Sequence, residues 1–243
     1  MCHREVVATP EDATMPKSHE ERVRSVAAQV KARPSGKRLT IRKSHPGHTP
    51  HDLTYKNDAH PVDVEGIDQV LGIDRAKKTV TVEGQCTLGE LCKATFAEGL
   101  MPKVVPEFET FTIAGLVNGL GIETSSHRHG VFPASVASLE VVLGSGEIVE
   151  ANGSDHADLL AHLPGSYGTL GIVTKVTLEL SDARPFVRSR YRFFTKRGEY
   201  VAAFQAALAD HEFVEGFILG LESYVLVTGT TPTKTRRSRS SKR

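Results

Sequence analysis

The sequence predicts an α+β fold in two lobes, and three observations carry that expectation. Between Ser18 and Leu100, segments of helical period alternate with short runs of strand period, the pattern of a small α/β unit. After Met101-Pro102 the balance shifts to strands joined by glycine turns, with short helices between them. An apolar fraction of 39% beside a charged fraction of 24% fits a soluble protein with a real core.

The elements follow in order. Residues 1–17 mix proline, charge and small side chains without periodicity and read as a disordered leader. From Ser18, Val23, Val26, Ala27 and Val30 recur at helical spacing, and Ser18 with Glu21 forms a capping-box pattern. Pro34-Ser35-Gly36 ends that helix. Lys37–Ile41 reads as a strand entering a His/Pro/Gly loop, Ser44–His51. Val62–Val64, Val70–Ile73 and Thr79–Glu83 read as strands, and Thr87–Glu98 as a helix stopped by Gly99. In the second lobe, residues 101–229, Ile113–Leu120 reads as a helix. Ala137–Leu143 and Glu147–Ala151 make a hairpin, and Ala157–Leu163 a short helix. Gly171–Leu180 alternates like a strand, as do Val187–Phe194 and Phe213–Thr228, with a helix at Val201–Ala209 between the last two. Residues 230–243 carry six basic side chains and no large apolar one, so they read as a disordered basic tail.

Composition narrows the function classes. A net charge of +1 is not that of a nucleic-acid binder, and only the basic tail argues for one. Three cysteines, Cys2, Cys86 and Cys92, lack disulfide pairing and zinc spacing. No apolar run reaches membrane-spanning length and no secretory signal is visible, so the sequence alone reads as cytoplasmic.

Three stretches can carry chemistry. In Thr112–Gly130, Gly115, Gly119, Gly121 and Gly130 remove side chains along a short path, while Thr112, Thr124, Ser125 and Ser126 supply hydroxyls. A diphosphate needs close backbone N–H groups and small donors, which this stretch offers without the GxGxxG dinucleotide fingerprint. A glycine-rich turn packed on a sheet would use the same residues. Gly165–Thr174 places Gly168 and Gly171 around Thr169 and Leu170 directly before a strand, either as a backbone edge against a flat cofactor or as a tight strand entry. The Ile41–His51 loop holds Arg42, Lys43, His45, His48 and His51. Without a carboxylate or cysteine cluster it reads as a basic loop beside a phosphate, or as a solvated loop, rather than a metal site. Glu107 and Glu109 read as surface residues.

In this order, the motifs resemble the vanillyl-alcohol oxidase (PCMH) type of FAD-binding domain, and more closely the delta(24)-sterol reductase family that includes the plant Diminuto/Dwarf1 proteins. The likeness rests on Glu21-Arg22-Val23-Arg24, Ser44-His45-Pro46-Gly47, Leu100-Met101-Pro102, Val105-Pro106-Glu107, Thr112–Thr124, Ser125-Ser126-His127, His129-Gly130, Gly168–Gly171 and Phe213–Gly216. It implies two α/β lobes with FAD between them. It further implies contacts from Pro46, Gly47 and His48, from Thr112, Ile113, Ala114, Gly115, Gly119, Gly121, Ile122, Glu123, Thr124, Ser125, Ser126 and Gly130, and from Gly168, Thr169, Gly171 and Ile172. The Arg42–His48 loop departs from the Arg-Gly-Gly-His-Ser pattern of the broader flavin family, and the likeness implies non-covalent FAD.

The resemblance also implies reduction of a C=C bond in the aliphatic tail of a sterol, with NADPH as electron donor, and peripheral association with the endoplasmic-reticulum membrane. Relatives continue past Gly229 into a substrate domain, so a truncated form is expected, and the sequence names no catalytic acid. Two rival readings stay open: an FAD-dependent alcohol oxidase of the same fold, and a flavin-binding module without catalysis.

Overall fold

Ser18 starts the first helix through its side chain. Its hydroxyl accepts from the Glu21 N–H at 3.3 Å, while the Glu21 carboxylate accepts from the Ser18 N–H at 2.8 Å. This reciprocal cap satisfies two otherwise orphaned donors. The helix, α1 (His19–Lys31), buries Val23, Val26, Ala27 and Val30. The computed structural model describes residues 18–43 and 54–232. The expected leader, the loop from Ser44 with its Pro46, Gly47 and His48, and residues 233–243 lie outside the described residues.

The fold is α+β. After α1, β1 (Leu39–Arg42) pairs in parallel with β2 (His60–Asp63) to form a small two-stranded sheet. Then come β3 (Val70–Asp74), β4 (Thr79–Glu83), α2 (Leu88–Ala97), β5 (Leu100–Pro102), α3 (Ile113–Asn118), α4 (Ser126–His129), β6 (Val136–Val142), β7 (Ile148–Ala151), α5 (Ala157–His162) and β8 (Ile172–Asp182). These strands build a six-stranded sheet in the order β3-β4-β8-β6-β7, with β5 also paired to β8. The eleven-residue β8 is its centre, which is why Ile172, Val173, Val176, Leu178 and Leu180 are all buried. Because β4 from one side of Leu100 pairs with β8 from the other, this sheet crosses the boundary expected between the lobes.

The remaining unit comprises β9 (Arg188–Phe194), α6 (Arg197–Asp210), β10 (Phe213–Gly220) and β11 (Ser223–Thr230). Its strand order is β10-β11-β9, all antiparallel, and Tyr200 and Ala207 of α6 pack on Val214, Tyr224 and Leu226. The apolar run from Phe213 to Thr228 is therefore a hairpin of two strands. The turn lies between Gly220 and Ser223, where no side chain is covered. At the end of the described residues, Glu212 accepts from the Thr231 hydroxyl at 2.8 Å.

One buried ion cluster joins the layers. The Glu83 carboxylate is fully buried at the end of β4. It accepts from His19 Nδ1 at 2.6 Å, Arg22 at 2.5 Å and the Gln69 N–H at 2.9 Å. The other nitrogen of His19 lies 2.9 Å from Glu140 of β6, which also accepts from the Thr174 hydroxyl at 2.6 Å. Thus two residues of α1 are tied, directly or through one intermediate, to three neighbouring strands. Buried charges are tolerated only when each is compensated, and removing one partner strands the others. Replacing Glu83 with Ala should cost about 3–5 kcal/mol. Urea unfolding would measure it, and a loss below about 1 kcal/mol would show that α1 is held by apolar packing instead.

Candidate functional site

The turn after β4 fixes the site. Gly84 approaches the β8 backbone so closely that an added β-carbon would collide with the Val173 carbonyl. Its N–H donates to the Thr174 carbonyl at 2.8 Å, and its carbonyl accepts from the Ala114 N–H at 2.8 Å. The Ile113 N–H bonds the Cys86 carbonyl at 2.9 Å. These bonds hang α3 from the end of β4. They also consume the N–H groups of Ile113 and Ala114, so those two cannot serve a phosphate.

Asn118 fixes the second wall. At the last turn of α3 its side-chain amide donates to the Ala114 carbonyl at 2.8 Å. Its side-chain oxygen accepts from the Gly168 N–H at 3.1 Å and the Ser166 hydroxyl at 3.2 Å. The Tyr167 N–H reaches the Asn118 carbonyl at 3.2 Å. Tyr167 and Gly168 both have positive φ, and nothing lies within 4 Å of a β-carbon added at Gly168. The loop is thus held in a left-handed conformation that glycine adopts without strain, with open space in front of it.

Between α3 and this loop lies a cleft of about 710 Å³. That volume suits a large cofactor or drug-sized ligand. Thr112, Ala114, Gly115 and Gly119 line one side, and Gly168, Thr169, Gly171 and Ile172 the other. Arg33, Arg38, Lys43 and Lys56 supply four cations to the same lining, with no carboxylate among the lining residues described. Burial lowers the Lys43 ammonium below its usual value, and nearby Lys56 adds to the shift. The lining also holds Gln85, a buried residue whose Oε1 has no hydrogen-bond partner among the described residues. A buried acceptor left unmade costs free energy unless a ligand supplies the donor.

The structure divides the long glycine stretch rather than bringing all of it to one place. Ile113 is buried in the core. Gly121 faces Leu116, Phe132 and Pro106, so its missing side chain serves packing rather than the cleft. Ile122 is exposed. Residues Glu123–Gly130 turn away toward the hairpin unit. Ser126 Oγ accepts from the Glu123 N–H at 2.9 Å, the Glu123 carboxylate accepts from the Thr124 N–H at 2.8 Å, and the Thr124 carbonyl accepts from the Val214 N–H at 3.0 Å. Burial raises the Glu123 carboxyl above the usual range. Ser125 donates to the Lys103 carbonyl and, with Arg128 and His129, lines a separate cavity of about 320 Å³. Gly130 ends α4 with a positive φ. Pro46, Gly47 and His48 lie outside the described residues.

Sequence reasoning missed Gln85, Asn118, Arg33, Arg38 and Lys56. Asn118 had a signal, since an asparagine before a glycine commonly closes a helix and carries an amide able to bond backbone. Arg33 and Arg38 flank the Pro34–Gly36 break, but nothing in the sequence shows that the backbone folds back there. Among the described residues, no cluster of histidine, cysteine or carboxylate side chains could hold a metal ion, and no helix is long and apolar enough to cross a membrane.

Comparison with known proteins bears out the resemblance read from the motifs. Residues 13–152 match the FAD binding domain family. The chain is 31% identical to a Delta(24)-sterol reductase of Arabidopsis thaliana over 234 residues, 90% of this chain and 41% of that protein. It is 30% identical to the Homo sapiens Delta(24)-sterol reductase over 223 residues, 89% of this chain and 43% of that protein. Cytokinin dehydrogenase 7 of Oryza sativa is 31% identical over 143 residues, 56% of this chain and 27% of that protein. The chain therefore spans about two-fifths of the length of the two reductases. With a family match that covers more than half of its residues, the chain belongs to the FAD binding domain family.

Proposed function

We propose that the cleft between α3 and the Gly168 loop holds the FAD that the family match implies, without a covalent link, and that the protein serves an FAD-dependent reduction of a sterol C=C bond. The single observation that carries the placement is the Gln85 oxygen, without a partner among the described residues, in the lining of a cationic, glycine-walled cleft. Three features of the cleft fit the group. FAD presents N–H and O–H donors to a buried acceptor. Its diphosphate suits a lining of four cations. Its extended shape suits walls at Gly115, Gly119 and Gly168 that hold no side chain in the way.

When bound, FAD supplies hydride transfer. The residues of this protein bind and orient it. Arg33, Arg38, Lys43 and Lys56 neutralise phosphate charge, and Asn118 keeps the Gly168 loop in its open left-handed shape. The sterol substrate rests on the names of the two reductases; NADPH as donor and work at an endoplasmic-reticulum surface rest on the family resemblance of the motifs alone. No proton donor for the reduced bond is assigned to any residue of this protein.

The purified protein should show a flavin absorption spectrum, and unfolding followed by ultrafiltration should move all of the flavin into the filtrate. Flavin that stays on the polypeptide would contradict the non-covalent reading. Protein that takes up no added FAD would contradict the placement. Anaerobic NADPH should bleach the bound flavin and a Δ24-sterol should restore it. Oxygen-dependent turnover of polyols without either response would favour an alcohol oxidase.

Replacing Gln85 with Leu tests this part of the lining. Because the Gln85 oxygen has no partner among the described residues, the apo-protein should keep or slightly gain stability. Its affinity for FAD should fall about tenfold, roughly 1.4 kcal/mol, by isothermal titration. Unchanged affinity in a folded variant would place FAD elsewhere.

A further inference from the structure

Tyr167 differs from the rest of the cleft lining in three ways. Among the described residues that line the cleft, it is the only aromatic one. It is 79% exposed, so the protein gives its ring little cover. Its φ is 52°, in the left-handed region that a bulky side chain rarely adopts. Core packing therefore does not account for a tyrosine here. The turn itself would form more readily with glycine or asparagine, which tolerate that backbone.

The loop is held in that shape on both sides of Tyr167. The Tyr167 N–H donates to the Asn118 carbonyl at 3.2 Å. The Ser166 hydroxyl and the Gly168 N–H both donate to the Asn118 side-chain oxygen, at 3.2 and 3.1 Å. The N–H and the hydroxyl of Thr169 donate to the Ser166 carbonyl at 3.1 and 2.8 Å. These bonds fix the backbone of residues 166–169 without engaging the tyrosine ring. Among the described residues, the Tyr167 side chain makes no hydrogen bond and no ring contact. An unfavourable backbone that its surroundings over-determine is a feature of ligand-binding sites, where it sets a side chain in place before the ligand arrives.

We propose that the Tyr167 ring stacks on one of the flat ring systems of the flavin nucleotide, an inference that rests on the FAD reading of this cleft. FAD carries two conjugated ring systems, and each presents a face that an aromatic side chain can cover. The rest of the described lining consists of cations, glycines, aliphatic side chains and small or amide polar groups, so Tyr167 supplies its one aromatic face. The neighbouring Gly168 leaves open space on its side of the loop, so a flat ring can approach the backbone beside the phenol. Stacking of a base on an aromatic side chain is worth about tenfold in affinity, about 1.4 kcal/mol. That gain offsets the cost of holding tyrosine in a left-handed turn, and it explains why the residue is not a glycine.

Isothermal titration of FAD into the flavin-free protein, with Tyr167→Asn and Tyr167→Phe beside the wild type, tests the stacking. Asparagine suits the left-handed turn but has no ring, whereas phenylalanine keeps the ring and loses only the hydroxyl. Tyr167→Asn should keep its urea midpoint, because the ring it removes is exposed, and should bind FAD about tenfold more weakly. Tyr167→Phe should restore the affinity to within about twofold of wild type. Riboflavin and ADP, titrated separately, identify the stacked ring. A loss carried into riboflavin sets Tyr167 on the isoalloxazine, and a loss carried into ADP sets it on the adenine. Unchanged FAD affinity in folded Tyr167→Asn protein would overturn the stacking. So would a Tyr167→Phe variant as weak as Tyr167→Asn, which would give the role to the hydroxyl. Wild-type protein that takes up no FAD would overturn the cofactor placement and the stacking with it. Weakening by Gln85→Leu but not by Tyr167→Asn would overturn the stacking alone.

Discussion

The short run Glu83-Gly84-Gln85-Cys86 is the constraint on which the rest depends. Glu83 gathers His19 and Arg22 and so holds α1 on the sheet. Gly84 allows the backbone to close on β8, which a β-carbon would prevent. The carbonyls of Gly84 and Cys86 receive the first N–H groups of α3. Gln85, set in the cleft lining by this arrangement, carries an acceptor with no partner among the described residues. Four consecutive residues thus connect the outer helix, the central strand and the cleft lining. Little freedom remains for any of them to move separately.

This arrangement explains how the cleft keeps its shape although five of its lining residues are glycines. Glycine leaves the backbone free and is costly to order. Here the ordering is supplied by hydrogen bonds at the two ends of α3. The β4 end fixes the start of α3, and Asn118 links the last turn of α3 to the Gly168 loop. The cations come from yet another layer, since Arg33 and Arg38 follow α1. Position and charge are therefore contributed by different parts of the fold, and the ion cluster at Glu83 keeps those parts in register.

Much of the secondary structure was legible because its signals are local. The capping box at Ser18, the alternation through β8 and the glycine turn at Gly144–Gly146 each specify an element without long-range help. Sheet membership was not legible, since pairing β4 with β8 joins residues nearly one hundred positions apart. In the site, Gly115, Gly119 and Gly168 stand out by composition and do line the cleft. Gly121 and Ser125 stand out equally and do not, because a glycine omitted for packing has the same sequence signature as one omitted for a ligand. Gln85 was invisible because an unpartnered oxygen is a property of its surroundings. The apolar run ending at Thr228 announced a strand but not its midpoint turn, as periodicity does not record where the backbone reverses.

Hydrogen–deuterium exchange with and without FAD tests the central claim most directly. The account predicts that FAD slows exchange in Gly115–Gly119 and in Ser166–Ile172, the two walls joined by Asn118, while Glu123–Gly130 changes little. Protection confined to Glu123–Gly130 and the β10–β11 hairpin would contradict the account, because it would move the cofactor to the other end of the glycine stretch.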